Sequence, residues 1–412
     1  MGLTTGFKNS AGKDIGSDLV EKSYLIDRYP ELADTFRFAG LWGWGNNLNG
    51  QLGDNTFTSR SSPVQTVAGG ANWKLVATGS YHTGAIKTDG TLWMWGRNDG
   101  GGLGNNLTTN VSSPVQTVSA GTNWKQVDVS RNTGQYHTAA VKTDGTLWTW
   151  GHNQFGQLGD NSILHRSSPV QTIAGGNNWK QVSTAAFWTA AVKTDGTLWT
   201  WGIAVSGQLG NSAVTHRSSP IQTIAGGTNW RQVSVAAAAC AAIKTDGTLW
   251  VWGNNSNGEL GDNGVASKSS PVQTVAGGTN WKLVAGGGYH IAAIKTDGTL
   301  WSWGRNTFGQ HGDNTVVHRS SPAQTVSGGT NWKQVSASIT HTTCIKTDGT
   351  LWLWGSNPSG GLGDNTVFGK SSPVQTVSAG TNWKRVSAGG SSAASATMAI
   401  RDDSSDIFGE SV

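Results

Sequence analysis

The 412 residues carry 13% charged side chains and a net charge of +5, with 59 glycines and 22 tryptophans. So many indoles with so little net charge exclude a disordered chain, and the length suffices to bury a large core. No run approaches the roughly 18 apolar residues of a membrane helix, and no basic segment followed by an apolar stretch opens the chain, so neither membrane insertion nor a secretion signal is expected.

Residues 1–38 stand outside any repeat and hold most of the aperiodic charge. Asp18 to Tyr29 mixes apolar and charged residues and reads as a short helix that stops before Pro30. Leu19, Tyr24, Leu25, Ile26 and Tyr29 make this arm too apolar for an idle tail. Docking on a partner is favoured over packing on the chain's own rim, at roughly 1.5–3 kcal/mol per buried side chain.

From Leu41 onward self-similarity governs. Leu-Trp-x-Trp-Gly begins at Leu41, Leu92, Leu147, Leu198, Leu249, Leu300 and Leu351; five intervals are 51 residues and one is 55. Ser-Ser-Pro recurs from Ser61 to Ser371, and Asn-Trp-Lys/Arg from Trp73 to Trp383, so three tryptophans per repeat leave only Trp188 outside the pattern. Within one repeat, residues 190–194 and 197–201 flank Asp195-Gly196, a strong hairpin signal. A third strand is expected at 221–224, with Pro220 at its start, and a fourth at 230–233. Four short antiparallel strands make one propeller blade, with tryptophans between blades and small residues on the innermost strands.

The ends of the chain point to closure. Lys-Thr-Asp-Gly precedes every Leu-Trp-x-Trp-Gly except the first, and Met398 to Asp403 is a worn copy of that missing strand. One blade should therefore take its outer strands from the N-terminal part and its inner strands from the C-terminal part. The expected fold is all-β, a single closed seven-bladed β-propeller over 39–404, with a tail at 405–412.

The string from His-Thr through Lys-Thr-Asp-Gly-Thr-Leu-Trp-x-Trp-Gly to Gly-Gln-Leu-Gly is nearly whole at 82–104, 137–159 and 290–312. It resembles the repeat of the regulator-of-chromosome-condensation propellers over roughly residues 39–403. The resemblance implies seven blades with both chain ends in one of them. The founding member's nucleotide-exchange and chromatin-binding activity is not carried over, because no blade bears an acidic or wedge-like insertion and no basic nuclear-targeting tail is present.

The Ser-Ser-Pro-Val-Gln-Thr-Val variant looks more like bacterial and bacteriophage members. Residues 7–10 and 19–32 are similar to the starts of virion structural proteins of marine tailed phages. That likeness implies a non-enzymatic virion protein made in a host cytoplasm. Its arm would dock on other virion structural proteins at neck, tail or capsid, and its propeller would face a host-surface glycan or protein. A bacterial scaffold for protein–protein interaction and a glycan-binding module are the alternatives.

Most candidate sites have a structural account in the repeat. His82, His137, His290 and His341 share one position that is Trp188, Ala239 and Ala396 elsewhere, which fits strand-end hydrogen bonding better than a metal ring. Gly-Asp-Asn, at Asp54, Asp160, Asp262, Asp313 and Asp364, reads as turn chemistry. Cys240 and Cys344 read as small buried fillers, and no metal or cofactor is expected. Lysines recur at two fixed places per repeat and read as solvated turn residues spread around a ring, so nucleic acid is not an expected partner. Departures from the repeat are where function should lie: four extra residues between Trp124 and His137, a comparable excess at 388–396, and Phe187-Trp188 in place of Tyr-His. Arg131, Asn132, Gln135, Phe187 and Trp188 are the candidates for a glycan or protein contact on one axial face.

Overall fold

The computed structural model describes residues 39–67, 72–119, 121–131, 136–326, 328–378, 380–391 and 394–402. The arm with Leu19, Tyr24, Leu25, Ile26 and Tyr29, and the tail at 405–412, lie outside the described residues.

Seven antiparallel four-stranded sheets form the molecule. In the first, Trp73–Thr78 is innermost, His82–Lys87 and Leu92–Gly96 follow, and Val111–Gln116 is outermost. We number the blades 1 to 7 by their innermost strands, which begin at Trp73, Trp124, Trp179, Trp230, Trp281, Trp332 and Trp383. Blade 7 joins both termini: its order is Arg60–Gln65, Ala39–Gly45, Ala394–Asp402, Trp383–Ser391, with Leu41 opposite Ile400 and Trp42 opposite Ala399. The worn copy of the repeat is thus the missing strand.

Two expectations need correction. The strand opened by Trp230 pairs with Ala239–Lys244, so it begins the next blade instead of ending its own repeat. Sequence repeat and blade are out of phase by one strand. The outermost strand also starts earlier than expected, at Arg217, and ends at Gln222. Pro220 is tolerated inside it because an outermost strand has one free edge.

Seven clusters of buried apolar residues occupy the seven gaps between neighbouring blades. In each gap a fully buried indole donates its Nε1–H to a loop carbonyl of the preceding blade, as in Trp95 to Gln51 O at 2.9 Å. The closing gap obeys the same rule, with Trp44 to Gly361 O at 2.9 Å. Gly363 beside it has φ +62, and an added Cβ there would stand 2.7 Å from the Trp44 Nε1. Above the gaps each loop hooks onto the next blade's outermost strand: Asn55 N–H to Ser112 O, and so on around to Asn365 N–H to Ser61 O at 3.0 Å, which spans the two ends of the chain.

Candidate functional site

The innermost strands line the axis and are stitched side to side. Gln126 Nε2 donates to Val182 O at 2.9 Å while its Oε1 accepts from Val182 N at 3.0 Å, so one amide side chain pairs like a backbone unit with the next blade. Gln181 does the same with Val233. Ser183, Ser234, Ser336 and Ser387 each accept a backbone N–H from the following blade at 2.8–3.2 Å.

Blades 1 and 5 carry Ala77 and Ala285 at this position, and blade 2 carries an acid. Asp128 stands where these serines stand and accepts the Thr184 N–H at 2.7 Å. Its other oxygen meets Arg131 at 3.4 Å, and Arg131 Nε reaches across blade 1 to Ala388 O of blade 7 at 3.2 Å. Arg131 therefore spans one end of the axial channel, a cavity of about 160 Å³ lined by Gln126, Asp128, Arg131, Gln181 and their equivalents. Asn132 and Gln135 lie outside the described residues.

The turns that depart from the repeat lie within blades, between the innermost strand and its neighbour, because of the one-strand phase correction. They share a face with the loops between third and outermost strands. There an aromatic and cationic arc crosses blades 1 to 3. Arg97 lies 5.1 Å from the Tyr81 ring and 5.3 Å from Tyr136, Tyr136 meets His152 at 4.8 Å, and His152 meets His165 at 4.8 Å. Farther along, half-buried Phe187 packs edge-on against Phe155 at 5.2 Å, and Phe155 against His216 at 5.6 Å. Of the expected contact residues, the structure brings Phe187 and Arg131 to this face.

Trp188 is a correction: it is fully buried and donates to Ala237 O at 3.2 Å, so it offers no surface to a glycan. Sequence reasoning missed Tyr81, Arg97, Tyr136, His152 and Phe155. Tyr136 carried a signal, since its ring fills the space left where Gly102 replaces the Gln of four other repeats; an added Cβ there would stand 3.1 Å from it.

The repeated histidines bond across gaps. His82 Nε2 meets Thr138 Oγ1 at 3.0 Å, and His137, His290 and His341 meet Thr189, Thr342 and Thr397. Where the next blade offers Cys240 or Ile291, the position is apolar, Trp188 or Ala239. Burial pushes the four imidazoles down to about 3, so they stay neutral. Cys240 and Cys344 are buried, and burial pushes both thiols up, away from reactivity. The Gly-Asp-Asn carboxylates tie their own loops: Asp54 accepts from Asn47 at 2.9 Å and pairs with Arg60 at 3.0 Å.

On the opposite face the lysines do form rings, as expected, but both rings lie at the same end of the sheets. Trp73 pairs with Lys87, which places Lys74 and Lys87 at the same end of the sheet, and every blade repeats this. Lys87 is not merely solvated; its ammonium lies 5.0 Å from the Trp73 ring and 4.7 Å from Trp93. Arg401 takes that role in blade 7, 4.6 Å from Trp42.

The model of the RCC1-like domain family matches residues 40–395. The ultraviolet-B receptor UVR8 of Arabidopsis thaliana is 31% identical over 327 residues, covering 78% of this chain and 73% of the receptor. The human E3 ubiquitin-protein ligase HERC2 is 29% identical over 79% of this chain, which spans only 7% of that ligase. Yeast RCC1 (Prp20), solved bound to Kap60, superposes with a TM-score of 0.77 at 18% identity, covering 92% of this chain and 93% of that one. Matching family model, seven blades and a blade shared by both termini agree: the chain belongs to the RCC1-like domain family.

Proposed function

We propose that this RCC1-like propeller is a rigid, non-enzymatic platform for protein–protein interaction, and that its partner seats on the arc over blades 1 to 3. One observation carries the reading. Most side chains repeat sevenfold, whereas the partly exposed Tyr81, Arg97, His152, Phe155 and Phe187 gather on one face over consecutive blades, with the fully buried Tyr136 ring packed against Tyr81, Arg97 and His152. Half-buried aromatics beside an arginine are the residue types that anchor protein interfaces. The Gly-Asp-Asn carboxylates and the repeated histidines, in contrast, sit at equivalent positions in loop ties and across gaps, where they hold the fold instead of facing one another around a substrate. That the solved relative was bound to Kap60 supports a binding role for this fold.

The test is Arg97→Ala, Phe155→Ala and Phe187→Ala combined, with the partner profile read by crosslinking and mass spectrometry in the native source. Loss of the main crosslinked partner at unchanged melting temperature supports the arc, and an unchanged profile sinks it. The finer placement, a tailed-phage virion anchored by residues 1–38, rests on the likeness of residues 7–10 and 19–32. The plant, human and yeast relatives give it no support. Deleting residues 1–38 and measuring incorporation into purified virions tests it, and undiminished incorporation would refute anchoring.

A further inference from the structure

The two rings of basic residues turn a weakly charged protein into a polarised one. At the end of the sheets where the hairpin turns lie, seven innermost-strand cations run from Lys74 to Lys384, seven more run from Lys87 to Arg401, and Arg385 adds one. Against these 15 stand the six hairpin aspartates, Asp89 to Asp348, and Asp402, giving +8 among the described residues of this face. The whole sequence, with 29 Lys and Arg against 24 Asp and Glu, carries only +5.

The inner ring surrounds a funnel at the axis, a cavity of about 590 Å³ within the size range of ligand sites. Lys74, Lys333, Lys384 and Arg385 come from blades 1, 6 and 7. The only acid among the described lining residues, Asp402, lies 3.6 Å from Lys384. Between the cations the wall is apolar: Leu283, Val284, Val335 and Ile400. The Gln232 and Gln334 amides of the lining are already engaged, donating to Val284 O and Val386 O.

We propose that this funnel binds an acidic polypeptide segment with interspersed apolar side chains. Field lines from a +8 face converge on a concave mouth and steer anions to it. The exposed Lys74 and Lys333 ammonium groups and the Arg385 guanidinium at the rim can meet carboxylates, and the aliphatic wall accepts a Leu- or Phe-sized side chain that a nucleic-acid backbone does not offer. A nucleic acid also needs cations along a track, whereas these encircle an axis. The inference deepens the platform reading by assigning a second face its partner class, and it rests on that reading.

The test measures fluorescence anisotropy of a labelled peptide alternating Asp and Glu with Phe and Leu, against the full chain and three full-length variants. Binding is expected to weaken with rising salt and to fall about tenfold or more in Lys74→Gln/Lys333→Gln/Arg385→Gln at unchanged melting temperature. It should be unchanged in Arg217→Gln/Lys268→Gln on the other face. Equal losses in both variants would mean attraction to net charge alone, and the funnel would be refuted. An oligonucleotide of equal charge that binds more tightly would also refute it. A peptide that binds only after Asp403→Asn/Asp406→Asn/Glu410→Gln would show that the chain's own acidic sequence competes for the site, and the partner proposal would fall. Failure here, with partner loss still seen in the arc variant, leaves the platform standing.

Discussion

Ser212 has φ 60, in the left-handed region where six other blades place Asn at 59–62. Asn tolerates that conformation better than other residues with a side chain, because its short amide bonds locally. The same blade has Ala204 where Asn47 elsewhere ties the loop to Asp54. Ser212→Asn should therefore raise stability by about 0.5–1 kcal/mol, read as a higher urea midpoint at unchanged slope. That Asp-Asn marks a turn was legible from spacing alone. That its amide hooks the next blade's Ser carbonyl was not, because the partner lies a whole repeat away in sequence.

Among elements, the innermost strands show how a repeat hides its exceptions. Asp128 looks like one acid among many, yet it replaces a serine in the stitching around the axis and needs Arg131 beside it. Arg131→Ala should cost about 1–3 kcal/mol by leaving the partly buried carboxylate one partner short. Adding Asp128→Ser should recover most of that loss, since serine does the same work in four other blades. A double-mutant cycle by chemical denaturation measures the coupling, and additive losses would refute it. The insertion beside Arg131 was visible in the interval of 55, but its place within a blade was misread because turn chemistry locates strands without saying which sheet each strand joins.

At the scale of the molecule, ring closure and burial set the response to mutation and pH. Trp44→Ala empties the gap that closes the ring and removes the bond to Gly361 O, so it should cost about 3–5 kcal/mol. Trp201→Ala, in an internal gap, should cost about as much if the seventh interface is as tight as the rest. Five buried histidines set the acid limit. Burial holds His82, His137, His290 and His341 at about 3 and His311 at about 4, against an ordinary value of 6.5. Below pH 6.5 the unfolded chain takes up protons that the folded ring refuses. Stability is therefore full above that pH and is lost progressively as pH falls toward 4 and 3. His311→Leu, which restores the residue of the other repeats, should flatten this loss by about one proton's worth, roughly 1.4 kcal/mol per pH unit. Urea unfolding at neutral and mildly acidic pH reads the difference.

The sequence by itself determined the number of blades, the shared blade at the termini and the place of the tryptophans, since a repeat states its period, its turns and its missing strand in local residue order. Tertiary structure alone decided which lysines share a face, that Trp188 is enclosed while Phe187 is not, that Arg97 meets Tyr136 and that Phe155 meets Phe187. Those facts depend on which end of each strand looks up or down and on what a neighbouring blade places across the gap. A chain of near-identical units leaves that information to the packing of units against one another.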